Sequence, residues 1–112
     1  MRKLNYHEPH PITREEAESA FASGDPELIA HALVCIAFHE ADWRWVQEQC
    51  LVFADNDVAA VRQIAVTCLG HVARIHRQLD LERVLPVLDE LSRDPEVQVG
   101  DALDDIEMFV ER

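Results

Sequence analysis

Apolar residues recur at three- and four-residue spacing from about position 14 to position 110, and polar breaks divide them into six stretches. That period puts the apolar side chains on one face of a helix, so the pattern predicts six amphipathic helices and no strands. The clearest part is residues 81–112. Val84, Leu85, Leu88 and Leu91 make one stripe, and Val99, Ala102, Leu103, Ile106 and Val110 make a second. Between them, Asp94-Pro95 predicts the start of the last helix, because an Asp side chain caps free N–H groups and Pro fits the first helical position. Two helices this short cannot bury both stripes alone and need neighbours of the same kind.

The chain upstream supplies them. Residues 1–12 hold Pro9 and Pro11 and show no period, so they read as an irregular lead-in. Thr13 and Glu16 make a capping box with Ile12 as its staple, opening a helix from about Arg14 to Ser23 that Gly24 stops. Its inward residues are Ala17, Ala20 and Phe21. Asp25-Pro26 starts a second helix, to about His39, with Leu28, Ile29, Ala32, Leu33, Ile36 and Ala37 on one side. Val34, Cys35 and Phe38 make its other side apolar too, which predicts a helix sandwiched between layers, the alternative being an exposed apolar patch. Asp42 caps a third, about Trp43 to Ala54, with Val46, Cys50 and Phe53 inward. Asn56 or Asp57 caps the fourth, about Val58 to Arg77, whose stripe is Val61, Ile64, Ala65, Cys68, Leu69, Val72 and Ile75. Gly70 inside that helix costs up to ~1 kcal/mol relative to Ala, so the sequence predicts a neighbouring helix in close approach there.

The helices pair into a repeat. A shift of 34 residues places Ala65, Cys68, Leu69 and Val72 on Val99, Ala102, Leu103 and Ile106, and a shift of 38 places Val46 and Cys50 on Val84 and Leu88. The first pair matches through Ala32, Leu33 and Ile36. A period in the thirties with two helices per unit is the signature of a helical solenoid. Val61-Arg62, Ala65 and Leu69-Gly70 resemble the second helix of a HEAT repeat. Val84-Leu85-Pro86-Val87-Leu88 with Asp94-Pro95-Glu96-Val97 resembles the first helix and turn of the next unit. Gln98 and Gly100-Asp101 depart from that pattern, as terminal units with one face in water do. The resemblance implies an all-α fold: three stacked helix pairs, about 13–39, 42–77 and 81–111, forming a single HEAT-like α-solenoid domain over 1–112.

Charge narrows the partner. Acidic residues number 22 against 10 basic, a formal net charge of −12. Phosphate would be repelled, so nucleic acid and anionic membranes are disfavoured as direct partners, and the balance suits either plain solubility or a basic protein partner. The start, MRKLNYHEPHP, carries charge without an apolar run behind it, and the longest apolar stretch, Leu28 to Phe38, is too short to span a bilayer. Cys35, Cys50 and Cys68 sit in apolar helical stretches and read as buried free thiols of a reducing cytoplasm. Small, acidic, free-standing HEAT-like proteins of this kind resemble immunity proteins of bacterial polymorphic-toxin and contact-dependent growth inhibition systems, the segment Asp101 to Phe109 carrying the likeness. That resemblance implies tight binding to a cognate toxin, often a basic nuclease, and blockade of its active site; the alternative is a general HEAT-like adaptor or scaffold with another protein partner.

No motif supports an enzyme, a metal or a cofactor. His7-Glu8-Pro9-His10 lacks a helix to fix its geometry, and His39-Glu40 lacks the second His of a zinc-protease helix. His71 and His76 point in different directions. Asp104 and Asp105 are adjacent, about 100° apart on a helix, and make no acid–base pair. What remains is surface. Asp101, Asp104, Asp105, Met108 and Glu111 lie at helical spacing opposite the core stripe, which makes them either an ordinary solvated face or an acidic docking strip with one apolar anchor, Met108. Gln63, Thr67, His71 and Arg74 extend it if the second helices share a face. Trp43 and Trp45, flanking Arg44, are the other candidates, since Trp and Arg commonly anchor interfaces, although one of the two is expected to be structural, packed on the preceding helix.

Overall fold

The computed structural model describes residues 8–111, so Met1 to His7, including the His7 end of the His-Glu-Pro-His segment, lie outside the described residues. Six helices follow one another: α1 (Arg14–Ala22), α2 (Pro26–His39), α3 (Trp43–Phe53), α4 (Ala59–His76), α5 (Leu81–Leu91) and α6 (Gly100–Phe109). The fold is all-α, with no strand among the described residues.

Local chemistry starts the first three helices. Thr13 Oγ1 accepts from the Glu16 N–H at 3.0 Å while Glu16 Oε1 accepts from the Thr13 N–H at 2.8 Å, closing the capping box. Asp25 accepts from the Glu27 N–H at 2.9 Å with Pro26 behind it, and Asp42 accepts from the Trp45 N–H at 3.2 Å. The fourth start differs from expectation. Val58 occupies the N-cap without a side-chain bond, and Asn56 Oδ1 accepts the Val58 N–H at 2.9 Å one step outside the helix.

The last helix departs further. Asp94 accepts from the Glu96 N–H at 2.9 Å, but the chain makes only a turn at Pro95-Glu96, and α6 begins at Gly100. β-Branched Val97 and Val99 and the poor helix former Gly100 follow, and both valines are drawn into the core instead of onto a helical stripe.

α2, α4 and α6 pack side by side with α4 central, while α1 lies on α2 and α3 on α4. Being in the middle, α4 buries Val61, Ala65, Val66, Cys68, Leu69, Gly70, Val72 and Ala73. α2 is sandwiched as its composition requires, burying Ile29, Ala32, Leu33, Cys35, Ile36 and Ala37. The backbones of α4 and α6 come closest where small residues meet. A β-carbon on Gly70 would stand 3.3 Å from Ala102 Cα. α5 packs through bulkier Val84 and Leu88, which hold its axis farther off.

Two residues of the expected stripes are not inside: Ile75 is 40% and Leu103 36% exposed. Each sits at the edge of its stripe, where the arc facing the neighbour has ended. Polar ties join successive layers. Gln47, nearly fully buried, accepts from the Asp80 N–H at 2.7 Å through Oε1 and so fixes the approach of α5. Arg62 donates to Asp94 at 3.1 Å, to Glu96 at 3.3 Å and to the backbone carbonyls of Asn56 and Asp57, clamping two loops with one guanidinium. No buried side-chain polar atom among the described residues is left without a hydrogen bond.

Candidate partner-binding surface

The seam between α4 and α6 gathers most of the expected strip. Gln63 holds its lower end: Gln63 Oε1 accepts from the Gln98 N–H at 2.8 Å and Gln63 Nε2 donates to the Gln98 carbonyl at 3.0 Å. A side-chain amide thus takes the place of a backbone partner, pinning the loop before α6 to α4. Above it lies a cleft of about 280 Å³ lined by Gln63, Thr67 and His71 from α4 and by Gln98, Asp101 and Asp105 around α6.

His71 is half-buried, its ring 4.6 Å from that of Phe38 on α2. Burial, and then the Arg74 charge, push its pKa below the ordinary 6.5, while Asp105 across the seam opposes them. Arg74 donates to His71 Nδ1, which fixes the neutral tautomer with its proton on Nε2. Asp105 is itself half-buried against Gly70, whereas Asp101 and Asp104 are exposed. Met108 is 71% exposed, the most open large hydrophobic side chain described. Glu107, which lay outside the expected strip, is exposed as well. α6 therefore presents Asp101, Asp104 and Glu107 to solvent with an apolar thioether among them and no basic residue on the helix. Such a face repels anions and suits guanidinium and ammonium groups.

Glu111 does not extend the strip. α6 ends at Phe109, and Glu111 lines a separate groove of about 730 Å³ with Trp43, Arg44, His76 and Arg77. The Arg44 guanidinium lies 4.7 Å from the centre of the Trp43 ring, so this groove has a cationic rim. Trp45 goes elsewhere: Arg14 of α1 lies 4.5 Å above its ring and donates to Asp42 at 2.7 Å. The Arg14 bond holds the Asp42 carboxyl below its usual range. Trp43 and Trp45 therefore belong to different surroundings, the first to an open groove and the second to the α1–α3 contact.

Cys35, Cys50 and Cys68 are all free and buried. A hydrogen bond with Cys50, together with burial, pushes the Cys68 thiol far above its ordinary value, which denies it nucleophilic character. No described helix is long and apolar enough to cross a membrane.

No family model and no curated protein matches this chain. Among solved structures, it is similar to a chain in the crystal structure of a CDI complex from Cupriavidus taiwanensis LMG 19424. The TM-score is 0.82 with 38% sequence identity, covering 97% of this chain and 96% of that one.

Proposed function

This chain belongs to the family of the CDI-complex component that it matches over nearly the whole length of both, and from that membership we propose that it is an immunity protein of a contact-dependent growth inhibition system. It binds a cognate toxin in the cytoplasm and neutralises it without catalysis. The near-complete match at 38% identity carries this reading. The toxin is a basic nuclease domain, and the immunity protein covers its active site with carboxylates that stand where substrate phosphates would. The net charge of −12 and the exposed Asp101, Asp104 and Glu107 around Met108 support that finer reading. Opposite fields steer the two proteins together, giving the fast capture that an inhibitor of a toxin needs.

We read the scaffold as HEAT-like. Gln47 with Asp80, Arg62 with Glu96 and Gln63 with Gln98 join residues 33, 34 and 35 positions apart, one repeat in each case. Such spacing suits layers that stack on their neighbours.

The test is co-expression with the toxin domain encoded beside the gene. Growth is restored, and the two chains co-purify as a complex. If the cells still die and no complex forms, the immunity reading is wrong, and an adaptor for another protein takes its place.

A further inference from the structure

His31 and Cys35 stand four residues apart on α2, one turn along the same face. The lead-in before α1 brings His10 back against them. His10 Nε2 lies 3.4 Å from His31 Nε2, and His31 Nε2 lies 3.5 Å from Cys35 Sγ. The three donor atoms all fall within 4.8 Å of one another. The two imidazole rings are 5.3 Å apart and tilted by 49°, so their nitrogens converge while their faces do not stack.

We propose that His10, His31 and Cys35 form a binding site for a thiophilic divalent transition metal ion, with Zn(II) the ion that fits. Tetrahedral zinc with bonds of about 2.0–2.1 Å to nitrogen and about 2.3 Å to sulfur places neighbouring ligand atoms roughly 3.3–3.6 Å apart. Two of the three separations are already there. Donor chemistry points the same way. Two imidazoles and a thiolate, with no carboxylate among them, select zinc-like ions over Mg(II) or Ca(II). α2 fixes the half-buried His31 and the buried Cys35, and the exposed His10 closes over the ion from the lead-in before α1. On binding, the Cys35 thiol gives its proton to solvent, both imidazoles bind neutral, and water completes the fourth position. The ion ties the lead-in to the sandwiched helix, so binding stabilises the fold by mass action.

The experiment uses the full chain, free of any histidine tag, titrated with Co(II) and then Zn(II). One Co(II) binds per chain with a thiolate-to-metal charge-transfer band, and one equivalent of Zn(II) displaces it. Cys35→Ser abolishes the band. His10→Ala, at an exposed position, leaves metal-free thermal unfolding unchanged and weakens Zn(II) binding, measured by competition with a chromophoric chelator, by about tenfold or more. Absence of the charge-transfer band, or Zn(II) binding that His10→Ala does not alter, leaves a hydrogen-bonded His–His–Cys cluster and overturns the proposal.

Discussion

A β-carbon on Gly70 of α4 would stand 3.3 Å from the Cα of Ala102 on α6 and 2.9 Å from Asp105 Oδ2. Backbone, not the nearer but pliable side chain, sets the limit that matters, because Asp105 can swing aside and Ala102 Cα cannot. The contact sets the depth of the seam, and with it the position of the acidic helix.

Gly70→Ala therefore tests the seam. Alanine gains up to ~1 kcal/mol of helix propensity, while forcing a methyl group into a filled contact costs about 1–3 kcal/mol. The net expectation is a loss of about 1 kcal/mol, read as a lower urea midpoint at unchanged slope. Adding Asp105→Ala restores only part of it, since the Ala102 backbone stays in place. A Gly70→Ala chain more stable than the parent would mean that α6 rides over α4 loosely.

Arg62 is the second structural prediction. Its side chain is 16% exposed and serves Asp94, Glu96 and two carbonyls. Truncating it leaves the largely covered Asp94 carboxylate without its cation, so Arg62→Ala costs about 2–3 kcal/mol in denaturant unfolding. Arg62→Lys recovers little, because a single ammonium group cannot reach several acceptors in a fork. Equal stability of the Lys variant and the parent would show that charge alone, and not the clamp, joins the loops.

His71 gives the fold a pH dependence of known sign. Its pKa in the folded chain lies below the ordinary 6.5, through burial and Arg74, with Asp105 acting in opposition and Phe38 packed on the ring. The unfolded chain thus takes up the proton first. The stabilisation is complete above pH 6.5 and is lost as pH falls from there through the lower pKa of the folded chain. Asp42 and Glu48, held low by Arg14 and Arg83, lose their contributions only in the more acidic range below their ordinary 3.8 and 4.5. Unfolding midpoints measured from about pH 8 down to about pH 5 fall for the parent and stay flatter for His71→Gln. Parallel curves for the two would remove His71 as the cause.

Much of this architecture was legible because its signals are local. Thr13 with Glu16, Asp25-Pro26 and Asp42 each cap their own helix, so a few consecutive residues suffice to place three starts. Gly70 announced a close approach by being a poor residue for its position, and Ala102 supplies it. Asp94-Pro95 misled for a physical reason. It repeats Asp25-Pro26 letter for letter, yet Arg62 claims the Asp94 carboxylate and Gln63 holds Gln98, so the turn is fixed from another helix and α6 waits until Gly100. The exposure of Leu103 and Ile75 depends on where a neighbour's arc ends, which periodicity does not record. The site residues divide likewise. Asp101, Asp105 and His71 meet at one seam, while Glu111 and Trp43 share another groove and Trp45 joins Arg14. His10, His31 and Cys35 left one local trace, the four-residue spacing on α2; the third member comes from 21 positions upstream of His31.

The docking prediction separates electrostatics from folding. Asp101 and Asp104 are exposed and Asp105 supports the seam, so charge reversal belongs at the first two. Asp104→Lys leaves thermal unfolding close to that of the parent, because an exposed side chain away from caps and core contributes little, whereas Asp101→Lys costs up to about 1 kcal/mol by placing a cation in the first turn of α6. Against the cognate toxin domain, each reversal slows association severalfold at low salt, since steering depends on the summed field at the approaching face. The difference narrows as added salt shortens the screening length to a few ångströms. Met108→Ala acts through the other rate: it removes an apolar anchor, so dissociation quickens while the salt dependence stays that of the parent. Stopped-flow association at several salt concentrations, paired with dissociation by competition, reads both effects. Reversals that alter neither rate would move the docking face away from α6, with the Trp43 groove the next surface to mutate.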